Sequence, residues 1–142
     1  MFSMQISETQ NRKDKDILKR IAQKYDLELV LLFGSRVKGK THKESDYDVA
    51  YLSQRELDSE EFSLFTELLP IIQPSDERLL NLVNIRKASP LLLYDITSHN
   101  QILYEKKPGI FSQLRATSFK QYVESKPLYE AKFRRLGKIL KV

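Results

Sequence analysis

The sequence contains no cysteine, so a disulfide framework and a thiolate metal site are both excluded. Only two histidines occur, His42 and His99, far apart in the chain, and a histidine-rich metal cluster is not available. Four glycines leave little material for a flexible hinge, and no repeat or low-complexity linker interrupts the chain. Long apolar runs are missing too: Leu29–Phe33 and Leu91–Leu93 are far too short to span a bilayer. Met1–Gln10 lacks the basic start and continuous apolar core of a signal peptide. These absences lead us to expect a cytoplasmic protein that engages no membrane.

What is present is an ordinary globular composition, 41% apolar and 30% charged over 142 residues, enough for one domain with a real core. The net charge of +5 is concentrated at one end. Residues 126–142 carry six basic side chains (Lys126, Lys132, Arg134, Arg135, Lys138, Lys141) against Glu130, and the rest of the chain sums to zero. Such a segment can attract an acidic partner, but a solvated helix face explains each charge equally simply. Nucleic acid is therefore not expected as a partner.

Ile17, Leu18, Ile21 and Tyr25 recur at helical spacing within Asp14–Tyr25. Leu27–Phe33 is a compact apolar run of buried-strand type, closed by Gly34-Ser35. Tyr47–Leu52 reads as a second strand, Glu60–Leu69 as a helix ending near Pro70, and Leu79–Ile85 as a third strand. Ser89-Pro90 is a helix start, with serine as N-cap and proline in the first turn. Gln101–Tyr104 suits a short fourth strand, with Tyr94 and Tyr104 as packing residues. After Pro108 the chain reads as helical, with a break or kink expected at Pro127. Tyr129, Phe133, Leu136 and Leu140 form one apolar stripe, more often the pattern of core packing than of a partner seam. Alternating strands and helices give an α/β (α+β) architecture, a small mixed β-sheet flanked by helices. We expect a single domain over residues 1–142, with 109–142 as a helical C-terminal extension.

The chemistry is concentrated where Leu31-Leu32-Phe33-Gly34-Ser35 is followed, ten residues on, by Asp46-Tyr47-Asp48. A glycine directly after a strand lets the backbone turn sharply and approach a ligand closely. Ser35 would then offer a hydroxyl and unpaired N–H groups at a helix start, which suit a phosphate. Asp46 and Asp48 stand at i and i+2 of a strand entrance, so both carboxylates face the same way, their Cα atoms about 7 Å apart. Two carboxylates on one face repel unless a cation sits between them. Mg²⁺ is commonly held by one or two carboxylates plus substrate phosphates. A lone Asp-x-Asp is ordinary turn chemistry and a lone Gly-Ser an ordinary loop; their combination on successive strands is far more specific.

The segment GSRVKGKTHKESDYDVAYL resembles the signature of the DNA polymerase β-like nucleotidyltransferase superfamily, in particular the minimal nucleotidyltransferases. LNLVNIRKASPLLLYDI is similar to that family's third strand and following helix, so the resemblance covers about Ile17–Glu105. The resemblance implies the nucleotidyltransferase fold and a site of Gly34, Ser35 and Arg36 on the nucleotide with Asp46 and Asp48 as catalytic metal ligands. It implies Mg²⁺ (or Mn²⁺) as cofactor and ATP as substrate. Members are often antitoxins of toxin–antitoxin pairs, transferring AMP to a tyrosine of a HEPN-domain ribonuclease toxin. That toxin is the expected partner, held in a hetero-oligomer.

One position departs from the pattern. The superfamily carries a third carboxylate on the third strand, and here Asn81 stands in its place, with Asn84 no substitute by charge. An amide oxygen can ligate Mg²⁺ but cannot accept a proton as a carboxylate does. Asp76 and Glu77 lie just upstream as alternative carboxylates. Arg36, Lys38, Lys40, His42 and Lys43 surround the phosphate loop, either as phosphate or partner contacts or as a solvated basic loop. Three readings follow: an AMP-transferring antitoxin, a protein that neutralises its partner by binding alone, or transfer to a small molecule or nucleic acid. The last is disfavoured because there is no sizeable second domain to form an acceptor pocket.

Overall fold

The computed structural model describes residues 8–34, 47–72 and 80–140. Helix α1 (Glu8–Lys24) leads into strand β1 (Leu27–Phe33), followed by β2 (Tyr47–Ser53). A 3-10 turn, Asp58–Glu60, introduces α2 (Glu61–Ile72). Then come β3 (Leu80–Asn84), α3 (Pro90–Ser98), β4 (Asn100–Glu105) and α4 (Ile110–Leu140). The four strands form one mixed sheet in the order β3-β2-β1-β4. Strand β1 pairs antiparallel with both β2 and β4, and β2 pairs parallel with β3.

Both faces of the sheet are covered, which is why β1 from Leu29 to Phe33 reads as a continuous apolar run rather than an alternating one. Leu27, Val30, Val49, Tyr51 and Leu80 pack with Leu18 and Ile21 of α1, Tyr25 just after it, and Leu64 and Leu68 of α2. On the other face Leu29, Leu31, Phe33 and Ala50 meet Leu93 and Ile96 of α3 and Ile110, Phe111 and Leu114 of α4. A register irregularity between Leu27 and Leu29 switches the phase of β1, placing these two leucines in opposite cores. In β2 the alternation is regular, so Asp48, Ala50 and Leu52 share the α3–α4 face. By the same rule Asn81 shares that face with Val83.

Helix α3 starts as its sequence dictates. The Ser89 hydroxyl accepts from the Leu92 N–H at 3.2 Å, and Pro90 occupies the first turn. Two expectations fail in α4. Of the break or kink expected at Pro127, the break does not occur: the helix runs on through it for 31 residues. The one bond proline cannot donate would go to the carbonyl of Val123, and Val123 is exposed, so water can serve that oxygen. The stripe of Tyr129, Phe133 and Leu136 is not core, since Phe133 and Leu136 are 59% and 47% exposed. Helix α2 likewise continues two residues past Pro70.

Candidate functional site

Strand β1 ends at Gly34, whose φ of +89° lies where side-chain-bearing residues rarely go. The closeness of the next strand adds a second reason for glycine. A Cβ built at residue 34 would stand 2.2 Å from Oδ2 of Asp48. The carboxylate therefore lies directly over the glycine turn, in the space that any other residue would fill.

Asp48 is placed there by pairing. It stands opposite Phe33 of β1 and, across its other edge, opposite Asn81 of β3. The Asn81 side-chain amide donates from Nδ2 to Asp48 Oδ1 at 3.1 Å. Asp48 is half-buried and Asn81 exposed, so the pair opens to solvent at the end of three adjacent strands. Strand β4 also begins there, with Asn100 opposite Phe33. The Asn100 amide is turned away, donating to the carbonyls of Ile96 and Thr97 at 3.0 and 3.1 Å.

The structure thus brings together three of the residues singled out in the sequence: Gly34, Asp48 and Asn81. Ser35, Arg36 and Asp46 lie outside the described residues, as do Lys38, Lys40, His42, Lys43, Asp76 and Glu77. Among the described residues no group of three or more histidines and acids is gathered as a metal site. His99 serves as the C-cap of α3. Asp48 is a hard oxygen donor of the kind Mg²⁺ prefers, and the Asn81 amide can turn its oxygen toward a cation where it now presents nitrogen.

Sequence reasoning missed the direct Asn81–Asp48 bond, because the parallel register of β2 and β3 has no local signature. It also missed a groove of about 650 Å³ along α3, lined by Leu91, Leu92, Asp95, His99 and Tyr122. There the rings of Tyr94 and Tyr122 stack at 3.9 Å, 8° from parallel. Neither Asp48 nor Asn81 lines that groove.

A mixed sheet that lays a carboxylate over a glycine turn at its strand ends is the arrangement of a nucleotidyltransferase. Residues 15–109 match the family model of the polymerase beta nucleotidyltransferases, and the chain belongs to that family. No curated protein matches it in sequence. Among solved structures it is similar to a toxin–antitoxin with AMP-PNP (TM-score 0.70, 20% identity, covering 86% of this chain and 97% of that one). It is also similar to the toxin–antitoxin MntA–HepT (0.66, 18%, 88% and 97%). A tri-AMPylated Shewanella oneidensis HEPN toxin in complex with MNT antitoxin gives 0.66, 17%, 88% and 97%. At these identities the likeness establishes the fold. No helix among the described residues is long and apolar enough to cross a membrane.

Proposed function

We propose that this chain is an antitoxin-type nucleotidyltransferase that transfers AMP from ATP, with Mg²⁺ or Mn²⁺, to a tyrosine of a cognate HEPN ribonuclease toxin in the cytoplasm. The observation that carries the reading is Asp48 laid over the Gly34 turn at the strand ends of a polymerase beta family fold. The structural likeness to a toxin–antitoxin with AMP-PNP and to an AMPylated HEPN toxin with its MNT antitoxin supports the choice of nucleotide and acceptor.

In this reading Gly34, Ser35 and Arg36 hold the triphosphate, and Asp46 and Asp48 hold the divalent ion against it. The ion, when bound, neutralises charge on the phosphates. The tyrosine oxygen forms a bond to the α-phosphorus, the bond from that phosphorus to the pyrophosphate oxygen breaks, and pyrophosphate leaves. The phenolic proton goes to solvent water, since the Asn81 amide cannot accept it as a carboxylate would. A second reading therefore has its own support: with an amide at the third position, the chain neutralises its partner by binding and transfers slowly or not at all.

The test is to incubate the chain with Mg²⁺, labelled ATP and the candidate HEPN protein, then weigh that protein. An added AMP mass that vanishes with Asp46→Ala/Asp48→Ala supports transfer. A silenced but unmodified toxin supports binding alone. In Asn81→Asp, ATP affinity should hold while transfer accelerates. Unchanged transfer would show that the third position does not limit the reaction. AMP appearing on a small molecule or RNA would overturn the choice of acceptor.

A further inference from the structure

Helix α4 is about 46 Å long at 1.5 Å per residue, whereas a seven-residue strand spans about 23 Å. The helix cannot be covered by this sheet along its whole length. Its packed side is marked by Phe111, Leu114, the buried Ser118 and Tyr122, at spacings of three and four. Thr97 bonds Ser118 at 2.9 Å and Tyr94 stacks on Tyr122, so α3 and α4 run antiparallel along this stretch. Since α3 begins at Pro90, α4 runs past its first turn from about residue 126 onward.

The stripe does not stop there. Tyr129, Phe133 and Leu136 continue it at the same spacing, with Phe133 and Leu136 exposed, and Leu128 and Ile139 add exposed apolar surface. Leu91 and Leu92, in the first turn of α3 and lining its groove, are exposed where the overhang begins. Around them stand Lys126, Lys132, Arg134, Arg135 and Lys138, all exposed, against Glu130, a net +4 over residues 126–140.

We propose that the outer half of α4, together with the first turn of α3, is the docking surface for a protein partner presenting an apolar helical surface rimmed by carboxylates. Charge selects the occupant. A second copy would set +4 against +4, whereas an acidic rim is complementary. Nucleic acid would use the lysines and arginines but leave the apolar stripe uncovered. A lipid surface meets a helix from one side, and here the exposed Val123 and Ile139 lie about 160° apart around the axis. The inference rests on the proposed function only in choosing the HEPN protein as the partner to try.

Two variants test it: Phe133→Asp/Leu136→Asp on the stripe and Lys132→Glu/Arg135→Glu on its rim. Neither touches the packed cores, so melting and ATP affinity should match the parent. Binding is measured to the candidate HEPN protein and to an acidic Leu/Glu-patterned helical peptide. The stripe variant should weaken HEPN binding about a hundredfold, the cost of losing hot-spot side chains, and the rim variant less and in a salt-dependent way. HEPN binding unaffected by either variant overturns the surface. If the HEPN protein does not bind but the peptide does, and the stripe variant abolishes it, the surface stands and only the partner reading fails. If neither binds, the proposal falls. It falls equally if the chain alone dimerises through this stripe in sedimentation, or if phosphatidylserine vesicles capture it and the stripe variant releases it.

Discussion

The two faces of the sheet are made from alternate residues of the same strands, yet the polar groups that β2 sends to them meet different surroundings. On the face under α1 and α2, buried tyrosine hydroxyls bond to part-exposed glutamates at the edge of the packing. Tyr51, fully buried, donates its hydroxyl to Glu61, and Tyr25 donates to Glu67, which also pairs with Lys24 at 3.0 Å. On the face under α3 and α4, β2 places Asp48 at the strand entrance, bonded to Asn81 and open to solvent. Successive residues of one strand thus face the packing and the solvent separately. Tyr47, Val49 and Tyr51 anchor β2 to one core, while Asp48 is held out at its rim.

This division predicts that damage to one face leaves the other intact. The largest separation is expected for Asp48→Ala. Under the proposed function, loss of this carboxylate removes about 4 kcal/mol of charge stabilisation, about a thousandfold in AMP transfer. Its melting temperature should stay near that of the parent. Leu64→Ala should do the reverse, because Leu64 is fully buried between α2 and the sheet. It should lower stability by about 3 kcal/mol in urea unfolding while the folded protein keeps its ATP affinity. If Asp48→Ala melts as early as Leu64→Ala, the two faces are not separable.

Gly34→Ala should cross the division. The positive φ costs an alanine about 1–2 kcal/mol, and the new Cβ collides with Asp48 Oδ2 rather than with backbone. A carboxylate tip can swing away, so the fold survives but the site does not keep its geometry. We expect a modest loss of stability with a much larger loss of nucleotide affinity, read by unfolding and by ATP titration. A stability loss without an affinity loss would mean that the position of Asp48 over the turn is not needed.

Much of this was legible in the sequence where a signal is local. Leu27–Phe33 was bounded to the residue, because an apolar run ending in glycine has one simple meaning. Ser89-Pro90 marked the start of α3 for the same reason. The juxtaposition of Gly34, Asp48 and Asn81 was legible only through motif order, since nothing local says that β2 lies between β1 and β3. Pro127 misled because proline reports a missing donor and not whether water can replace it. The α4 stripe misled more instructively: an amphipathic pattern reports that something covers a face, and says nothing about whether this chain supplies the cover.

The smallest effect sharpens the comparison from the α1–α2 side. The Tyr25 hydroxyl, and after it Lys24, hold the Glu67 carboxyl below its ordinary value of 4.5. A depressed carboxylate contributes stability that is fully present above its ordinary value and is lost as pH falls through the lowered one. Burial, followed by the hydrogen bond to a glutamate, pushes Tyr25 and Tyr51 above their ordinary value of 10. Their contribution is present below pH 10 and is lost as pH rises through the raised values. Melting followed across pH should therefore show a plateau between these limits, with losses of both signs arising on one face of the sheet. Glu67→Gln should lower the plateau by less than about 1 kcal/mol, as a partly exposed pair does, and flatten the acid fall. Tyr51→Phe should remove part of the alkaline fall and leave the acid side as it was. A variant that changed nucleotide binding as much as it changed these slopes would show that the α1–α2 face reaches through the sheet to Asp48.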